Sequence, residues 1–141
     1  MRRGLVGLAL AVALVTPALA GEPVELTYPA DFDRVWTAAE KALKAEGWGI
    51  DDAARPLGVF VTKTQRVPGS DDAMWAITQR VRLRVTLITA GVSQTRVQVQ
   101  REMIRRERIL WGERDSGGAS ADALAQRTLE ERVLAAIARE L

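Results

Sequence analysis

A regular alternation of apolar and polar side chains runs through the middle of the chain. Apolar residues hold all but one of the odd positions from Trp75 to Leu87, and the even positions from Thr78 to Thr86 carry only threonine and arginine. A period of two predicts a long β-strand with one face in the core and one face in solvent. The alternation returns after the turn-forming segment 89–93, so the sequence predicts a β-hairpin.

One pairing of the two strands joins positions whose numbers sum to 182. It places Val85 opposite Val97 in the core and Arg80 opposite Glu102 on the outer face. An odd sum would set the apolar face of one strand against the solvent face of the other. The sequence therefore determines the parity of the pairing more firmly than its register.

The alternation weakens beyond Met103, where arginine occupies odd positions and apolar residues move to even positions. Either a β-bulge near Arg101 or a strand end there accounts for this change of phase. In the second case another short strand follows through residues 109–111. The segment from Gly112 to Gly118 is predicted as a loop.

The chain before the hairpin predicts three further strands and one helix. Segment 24–28 alternates as a short strand, and Asp31 is suited to be the N-cap of an amphipathic helix over 31–46 that ends at Gly47. Two short apolar-alternating runs follow, over 48–52 and 57–65. They predict a hairpin, or at least two neighbouring strands.

The last part of the chain has the pattern of a long helix. Ser120 is a fair N-cap with Asp122 in the first turn, and the residues that follow are strong helix formers. An apolar stripe predicts that this helix lies along the sheet, and it consists of Leu129, Val133, Ala136, Ile137 and Leu141.

Together these elements predict an α+β fold with two layers. An antiparallel sheet of five or six strands is packed by an N-terminal and a long C-terminal helix on one face, in a helix-grip-like layout. We expect a single domain over residues 21–141, because a chain of this length supports one hydrophobic core but not two.

Residues 1–20 have the pattern of a secretory signal peptide. Arg2 and Arg3 precede an apolar run over 5–15, and Ala18-Leu19-Ala20 forms a small-residue cleavage site. The apolar run is shorter than the roughly 20 residues needed to cross a bilayer. We therefore expect a periplasmic protein released by cleavage.

Cleavage changes the charge balance of the chain. The full sequence has 20 basic and 18 acidic residues, and loss of the two leader arginines leaves 18 of each. A neutral exported domain is a poor candidate for binding nucleic acid. We expect at most a peripheral contact with the membrane, and the sequence does not indicate an oligomeric state.

The chain contains no histidine and no cysteine. This excludes thiol nucleophiles, imidazole bases, haem ligation, disulfides and the usual zinc sites. The sequence also lacks nucleophile motifs such as S-x-x-K and G-x-S-x-G, and it lacks a phosphate-binding glycine loop. We therefore expect no cofactor, no metal and no enzymatic activity.

Arginines are concentrated between positions 80 and 108. On an outer strand face they would present a cationic surface to an anionic partner, such as an envelope protein, lipid headgroups or a polysaccharide. The alternative is a solvated face on which arginines pair with glutamates and discourage edge aggregation. The candidate partner-binding residues are Arg80, Arg82, Arg84, Arg96, Arg105, Arg106, Arg108 and Trp111.

Four tryptophans stand out in a chain with one tyrosine and two phenylalanines. Trp36 and Trp75 lie on predicted apolar faces and Trp48 follows the first helix, so we expect these three in the core. Trp111 lies in the least regular segment, where it is either an exposed aromatic anchor or another core residue.

Three motifs follow one another after the leader. The sequence Y-P-A-D-F-D-R-V-W starts at Tyr28, G-W starts at Gly47, and G-V-F-V-T-K starts at Gly58. This order resembles the opening of small exported bacterial domains of the BamC type. The resemblance implies the same element order and a role as a non-catalytic binding module associated with the outer-membrane β-barrel assembly machinery.

The chain departs from BamC-type proteins in one important respect. Those proteins are lipoproteins, whereas this chain has no cysteine to acylate at the cleavage site. Membrane anchoring therefore does not carry over, and the matching positions are structural ones that transfer no functional residue.

Two functions remain as hypotheses. The first is a non-enzymatic periplasmic or cell-envelope domain that binds or scaffolds a partner through its sheet face or the segment 101–111. The second is a carrier of a small apolar ligand or lipid, with a cavity between the sheet and the C-terminal helix. The carrier requires inward residues such as Val85 and Val97 to line a void instead of contacting Val133 and Ile137.

Overall fold

A computed structural model describes residues 22–66, 77–109, 112–117 and 127–141. These residues form one antiparallel sheet with two helices, so the predicted α+β fold is confirmed. In chain order the elements are β1 (Val24–Tyr28), α1 (Phe32–Ala45), β2 (Ile50–Ala54), a short 3-10 helix (Arg55–Leu57), β3 (Val59–Thr62), β4 (Gln65–Arg66), β5 (Ile77–Gly91), β6 (Gln94–Ile109), β7 (Gly112–Gly117) and α2 (Thr128–Glu140). Neither helix in these ranges has the length and apolarity required to cross a membrane.

The long hairpin of β5 and β6 forms the centre of the sheet. The strand order is β1-β6-β5-β3-β2. β4 pairs with β5 beyond the stretch occupied by β3, and β7 pairs with β6 beyond the stretch occupied by β1. Seven strands therefore fill five positions across the sheet, in agreement with the predicted five or six strands.

The hairpin register differs from the predicted one by two residues. Val85 lies opposite Val99 and Arg82 lies opposite Glu102, so paired positions sum to 184 and not to 182. The turn lies one residue later than predicted, with Ser93 in the left-handed conformation at φ 52°. Because the shift is even, every side chain keeps its predicted face.

α1 begins and ends with the predicted capping groups. The Asp31 carboxylate accepts a hydrogen bond from the backbone N–H of Arg34 at 2.9 Å. At the other end the N–H of Trp48 donates to the carbonyl of Leu43 at 2.8 Å, across Gly47 at φ +82°. This is a Schellman motif, in which the left-handed residue is most easily glycine.

The core lies between one face of the sheet and both helices. Trp36 of α1 stacks on Phe60 of β3 with ring centroids 3.9 Å apart. Odd-numbered side chains of the hairpin and one side of α2 complete a single buried cluster. Its members from the hairpin and α2 include Val81, Leu83, Val85, Leu87, Val97, Val99, Met103, Val133, Leu134, Ala136 and Ile137.

α2 follows its predicted stripe over most of its length. Val133 and Ile137 are fully buried, Leu129 is partly buried against the core, and Leu141 is 37% exposed. The N-cap predicted at Ser120 lies outside the described residues.

β6 continues through the segment where the alternation weakens. Its pairing with β5 runs from Thr95 to Glu107 without a change of register. The bulge or strand end predicted near Arg101 is therefore wrong. The loop predicted from Gly112 is also wrong as far as Gly117, because this segment is β7 and forms the next strand beside β6.

Arg101 keeps its inward orientation because it has an ionic partner in the core. Its side chain and that of Glu130 are only 6% and 3% exposed. Arg101 donates from Nε at 3.0 Å and from Nη2 at 2.8 Å to the two carboxylate oxygens of Glu130. This two-bond ion pair attaches α2 to β6 and fixes their relative position.

We expect loss of one partner from this buried pair to be costly. Glu130→Gln removes the carboxylate that binds the buried Arg101 guanidinium through two hydrogen bonds, which should lower the free energy of unfolding by about 3–5 kcal/mol in urea titrations. Glu40→Gln is the matched control, because Glu40 pairs with Lys44 on the exposed side of α1 and should cost at most about 0.5 kcal/mol. Equal losses in the two variants would contradict the structural role of the pair.

Gly58 and Gly47 form a natural comparison for the effect of an added methyl group. Both have positive φ, at +67° and +82°. A Cβ on Gly58 would lie 2.5 Å from the carbonyl oxygen of Leu87, whereas one on Gly47 would meet nothing within 4 Å. The Leu87 N–H also donates to the Gly58 carbonyl at 2.7 Å, which holds the two backbones together.

We therefore expect Gly58→Ala to destabilise the fold more than Gly47→Ala. Each substitution carries about 1–2 kcal/mol of left-handed backbone strain. Only Gly58→Ala adds the steric clash, which should cost about a further 1–3 kcal/mol in chemical unfolding. A smaller loss for Gly58→Ala than for Gly47→Ala would show that the approach to Leu87 is not a constraint.

Tyr28, the single tyrosine of the chain, connects β1 to α2. Its hydroxyl donates to the carbonyl of Leu134 at 2.6 Å, and the residue is 4% exposed. Burial raises the pKa of Tyr28 from 10.0 to about 12. The neutral phenol is therefore the form that the folded state favours.

This pKa predicts a loss of stability in alkali. Between pH 10 and about 12 the unfolded chain releases the phenolic proton while the folded chain retains it, so the contribution of Tyr28 to stability falls as the pH rises. Tyr28→Phe should remove this part of the decline in the unfolding free energy. A tyrosinate absorbance titration of the folded protein with its midpoint near 10 would contradict the prediction.

Candidate binding surface on the outer sheet face

The sheet face turned away from the helices is here called the outer face. Over residues 80–88 and 96–104 it carries the even-numbered side chains of β5 and β6, because side chains alternate along a strand and the odd-numbered ones point into the core. In the described part of the chain, α1 and α2 both pack on the core side. The outer face is thus the surface on which most of the candidate arginines were expected.

Three arginines follow one another along β5 on this face. Arg80, Arg82 and Arg84 are separated by about 6.8 Å, the repeat of alternate residues in an antiparallel strand. The side chains of Arg82 and Arg84 are 36% and 44% exposed, and Arg80 is half-buried. We call these three residues the arginine ladder.

Fixed hydrogen bonds orient the ladder. Glu102, opposite Arg82 on β6, accepts from the Nε of Arg82 and from the Nε of Arg84, the latter at 3.3 Å. Arg80 donates from Nε to the Thr64 hydroxyl at 2.9 Å and from Nη2 to the Thr64 carbonyl at 3.2 Å. The three guanidinium groups are therefore held in place before any partner binds.

Positive charge exceeds negative charge around the ladder. Arg66 of β4 lies directly opposite Arg80 in the sheet register. Arg82 and Arg84 share one carboxylate, that of Glu102, while Arg80 binds the uncharged Thr64. The three described ladder arginines are therefore paired with a single acid. An anionic group from outside the chain would offset the excess.

Sequence analysis missed the position of Arg66 on the outer face. The parity of β3, on which Phe60 and Thr62 face the core, would have placed residue 66 inside as well. The break over residues 63–64 changes the phase, so Gln65 and not Arg66 lies opposite the core residue Val81. A two-residue interruption in a polar stretch leaves no periodic signal.

Arg96 is also on the outer face but lies apart from the ladder. It is half-buried on β6 between Thr27 of β1 and Ile88 of β5. Ile88 is four residues beyond Arg84, which corresponds to about 14 Å along the strand. The structure thus does not bring Arg96 together with the other outer-face arginines.

The remaining candidate residues lie near the end of the hairpin, and the structure does not place Arg105 on the same face as the ladder. Arg105 lies on the core-facing side of β6 and is half-buried, so it does not share a face with the ladder. Arg106 and Arg108 lie opposite Asp115 and Glu113 of β7 in the backbone register. Trp75 and Trp111 lie outside the described residues.

Carboxylates also occupy other parts of the outer face. Glu25 of β1 accepts a hydrogen bond from the Gln98 amide at 2.9 Å. Asp52 lies opposite Val61 on the far side of β3. The face is therefore a mosaic in which the cationic ladder lies between separate acidic positions.

The described residues offer few alternatives to this surface. A shallow groove between α1 and the end of α2 is lined by side chains of both charges, including Asp33, Arg34, Lys41 and Glu140. Within ranges 22–66, 77–109, 112–117 and 127–141 no group of three or more acidic side chains is arranged to hold a metal ion. No protein-family model matches the chain, and no curated protein matches it.

Proposed function

We propose that this chain is a non-enzymatic binding domain of the periplasm or cell envelope, with the arginine ladder as its contact surface for an anionic partner. The observation that carries the proposal is the excess of arginine over carboxylate within the ladder, where Arg82 and Arg84 share Glu102 and Arg80 binds Thr64, on a sheet face that the described helices leave uncovered. The partner is a protein of the envelope or another anionic envelope component.

The chemistry of arginine supports a binding role over a purely solvated face. A guanidinium group is planar, is always charged at physiological pH and forms two parallel hydrogen bonds to a carboxylate or phosphate. A solvated face would be more stable with each arginine beside its own acid, yet Arg82 and Arg84 share one carboxylate and Arg80 binds the neutral Thr64. Such an arrangement is expected where a partner supplies the missing negative charge.

Export and envelope association come from the sequence. The periplasmic location depends on the signal-peptide pattern of residues 1–20, which lie outside the described residues. Association with outer-membrane assembly depends on the resemblance to BamC-type domains, and it is part of the proposal for the natural partner.

The carrier hypothesis has less support. Val85, Val97, Val133 and Ile137 have no exposed surface and belong to one contiguous apolar cluster. A ligand cavity at this position would require these residues to separate. Direct packing of the sheet on α2 is the simpler use of the same side chains.

The binding proposal is tested by removing the charge of the ladder. We expect the triple variant Arg80→Ser, Arg82→Ser, Arg84→Ser to lose retention on envelope fractions, because the contact surface loses the three guanidinium groups of the ladder. The matched control replaces Arg34, Arg132 and Arg139 with serine, which removes the same charge from the helix side. Unchanged retention of the ladder variant, or an equal loss in the control, would reject the ladder as the binding surface.

A further inference from the structure

Building on the proposed function, we propose that the ligand of the arginine ladder is an extended protein segment with acidic residues at alternate positions, lying along β5 on the outer face. The proposal specifies the class of partner and its conformation. It follows from the spacing of the ladder, the hydrogen bonds that orient it and the acidic positions around it.

The spacing of the ladder matches that of an extended chain. Arg80, Arg82 and Arg84 repeat at about 6.8 Å, and alternate side chains of any extended segment repeat at nearly the same distance. A segment parallel or antiparallel to β5 can therefore place one carboxylate over each arginine. A single phosphate group would contact only part of the row.

The existing hydrogen bonds leave donors for such a segment. A guanidinium group has five N–H donors. Glu102 accepts from the Nε of Arg82 and from the Nε of Arg84, so the Nη groups of both arginines are available to a second carboxylate. Glu102 and the ligand would thus bind opposite sides of the same cations.

The charge mosaic favours a discrete peptide over a lipid surface. Glu25 lies on β1 and Asp52 lies on β2, one strand further from β5 than β6 and β3. Glu102 lies on β6 directly opposite Arg82 of the ladder. An anionic bilayer would bring headgroups close to all three carboxylates as well as to the arginines. A narrow acidic segment would contact the ladder alone and avoid that repulsion.

Apolar side chains border the ladder on both sides. Val61 of β3 lies opposite Arg84, and Ile104 of β6 lies opposite Arg80. Both side chains are half-buried, so each offers some aliphatic surface next to an arginine of the ladder. They can contact the methylene groups of glutamate side chains while the carboxylates reach the guanidinium groups.

The test compares two fluorescein-labelled peptides of identical composition. In one, three glutamates alternate with threonines, and in the other the three glutamates are consecutive. We expect the full-length protein to bind the alternating peptide about tenfold more tightly in fluorescence anisotropy, because three matched ion pairs replace one or two. Binding should weaken as the salt concentration rises.

Variants connect the binding to the ladder. The triple serine variant should lose the preference for the alternating peptide, and Arg84→Ser alone should reduce it about threefold, since one of three pairs is lost. The single variant also provides a test if the triple variant does not fold. The control with Arg34, Arg132 and Arg139 replaced should keep the full preference.

Other outcomes separate this inference from the proposed function. If the ladder variant loses envelope retention but the two peptides bind equally, the binding function stands and the alternating-segment inference is overturned. Ladder-dependent binding to vesicles of phosphatidylglycerol and phosphatidylcholine without binding of the alternating peptide would also overturn it. Loss of neither retention nor peptide binding in the ladder variant would overturn both.

Discussion

The hairpin of β5 and β6 is the interaction on which the rest of the structure depends. β1 and β7 pair with β6, β3 and β4 pair with β5, and β2 is added through β3. The same two strands supply most of the sheet side chains buried under α1 and α2. Because their alternation separates apolar from charged residues, the hairpin also places the arginines of β5 on the face opposite the helices.

Arg101 and Arg82 are one position apart in the hairpin register, but they point to opposite faces of the sheet and have different roles. Arg101 is buried and joins β6 to α2 through Glu130, while Arg82 is half-exposed and shares Glu102 with Arg84. The buried pair satisfies its charge within the chain. On the outer face Arg82 and Arg84 share a single carboxylate, which is why that face supports a proposal of binding and the Arg101 site supports one of stability.

Periodicity predicted the secondary structure well where a segment has one buried face. The caps of α1, the strand pair β2–β3 and the two faces of the hairpin all agree with the structure. Prediction failed where periodicity was interrupted. The inward Arg101 suggested a bulge that does not exist, and β7, with four polar residues between its glycines, was assigned as a loop. In both places the stabilising partner comes from elsewhere in the chain.

The sequence by itself determined which side chains of the hairpin share a face, where α1 begins and ends, and that the chain carries no histidine or cysteine, because these properties depend on residue type and local spacing. Only the tertiary structure decided the hairpin register, in which paired residue numbers sum to 184. It also decided the burial of Arg101 against Glu130 and the position of Arg66 opposite Arg80. An even register shift leaves the apolar pattern unchanged, and an ion pair between residues 29 positions apart has no local signature. The ladder was therefore predictable as a row of arginines, whereas the sharing of Glu102 by Arg82 and Arg84 became evident only from the pairing of β5 with β6.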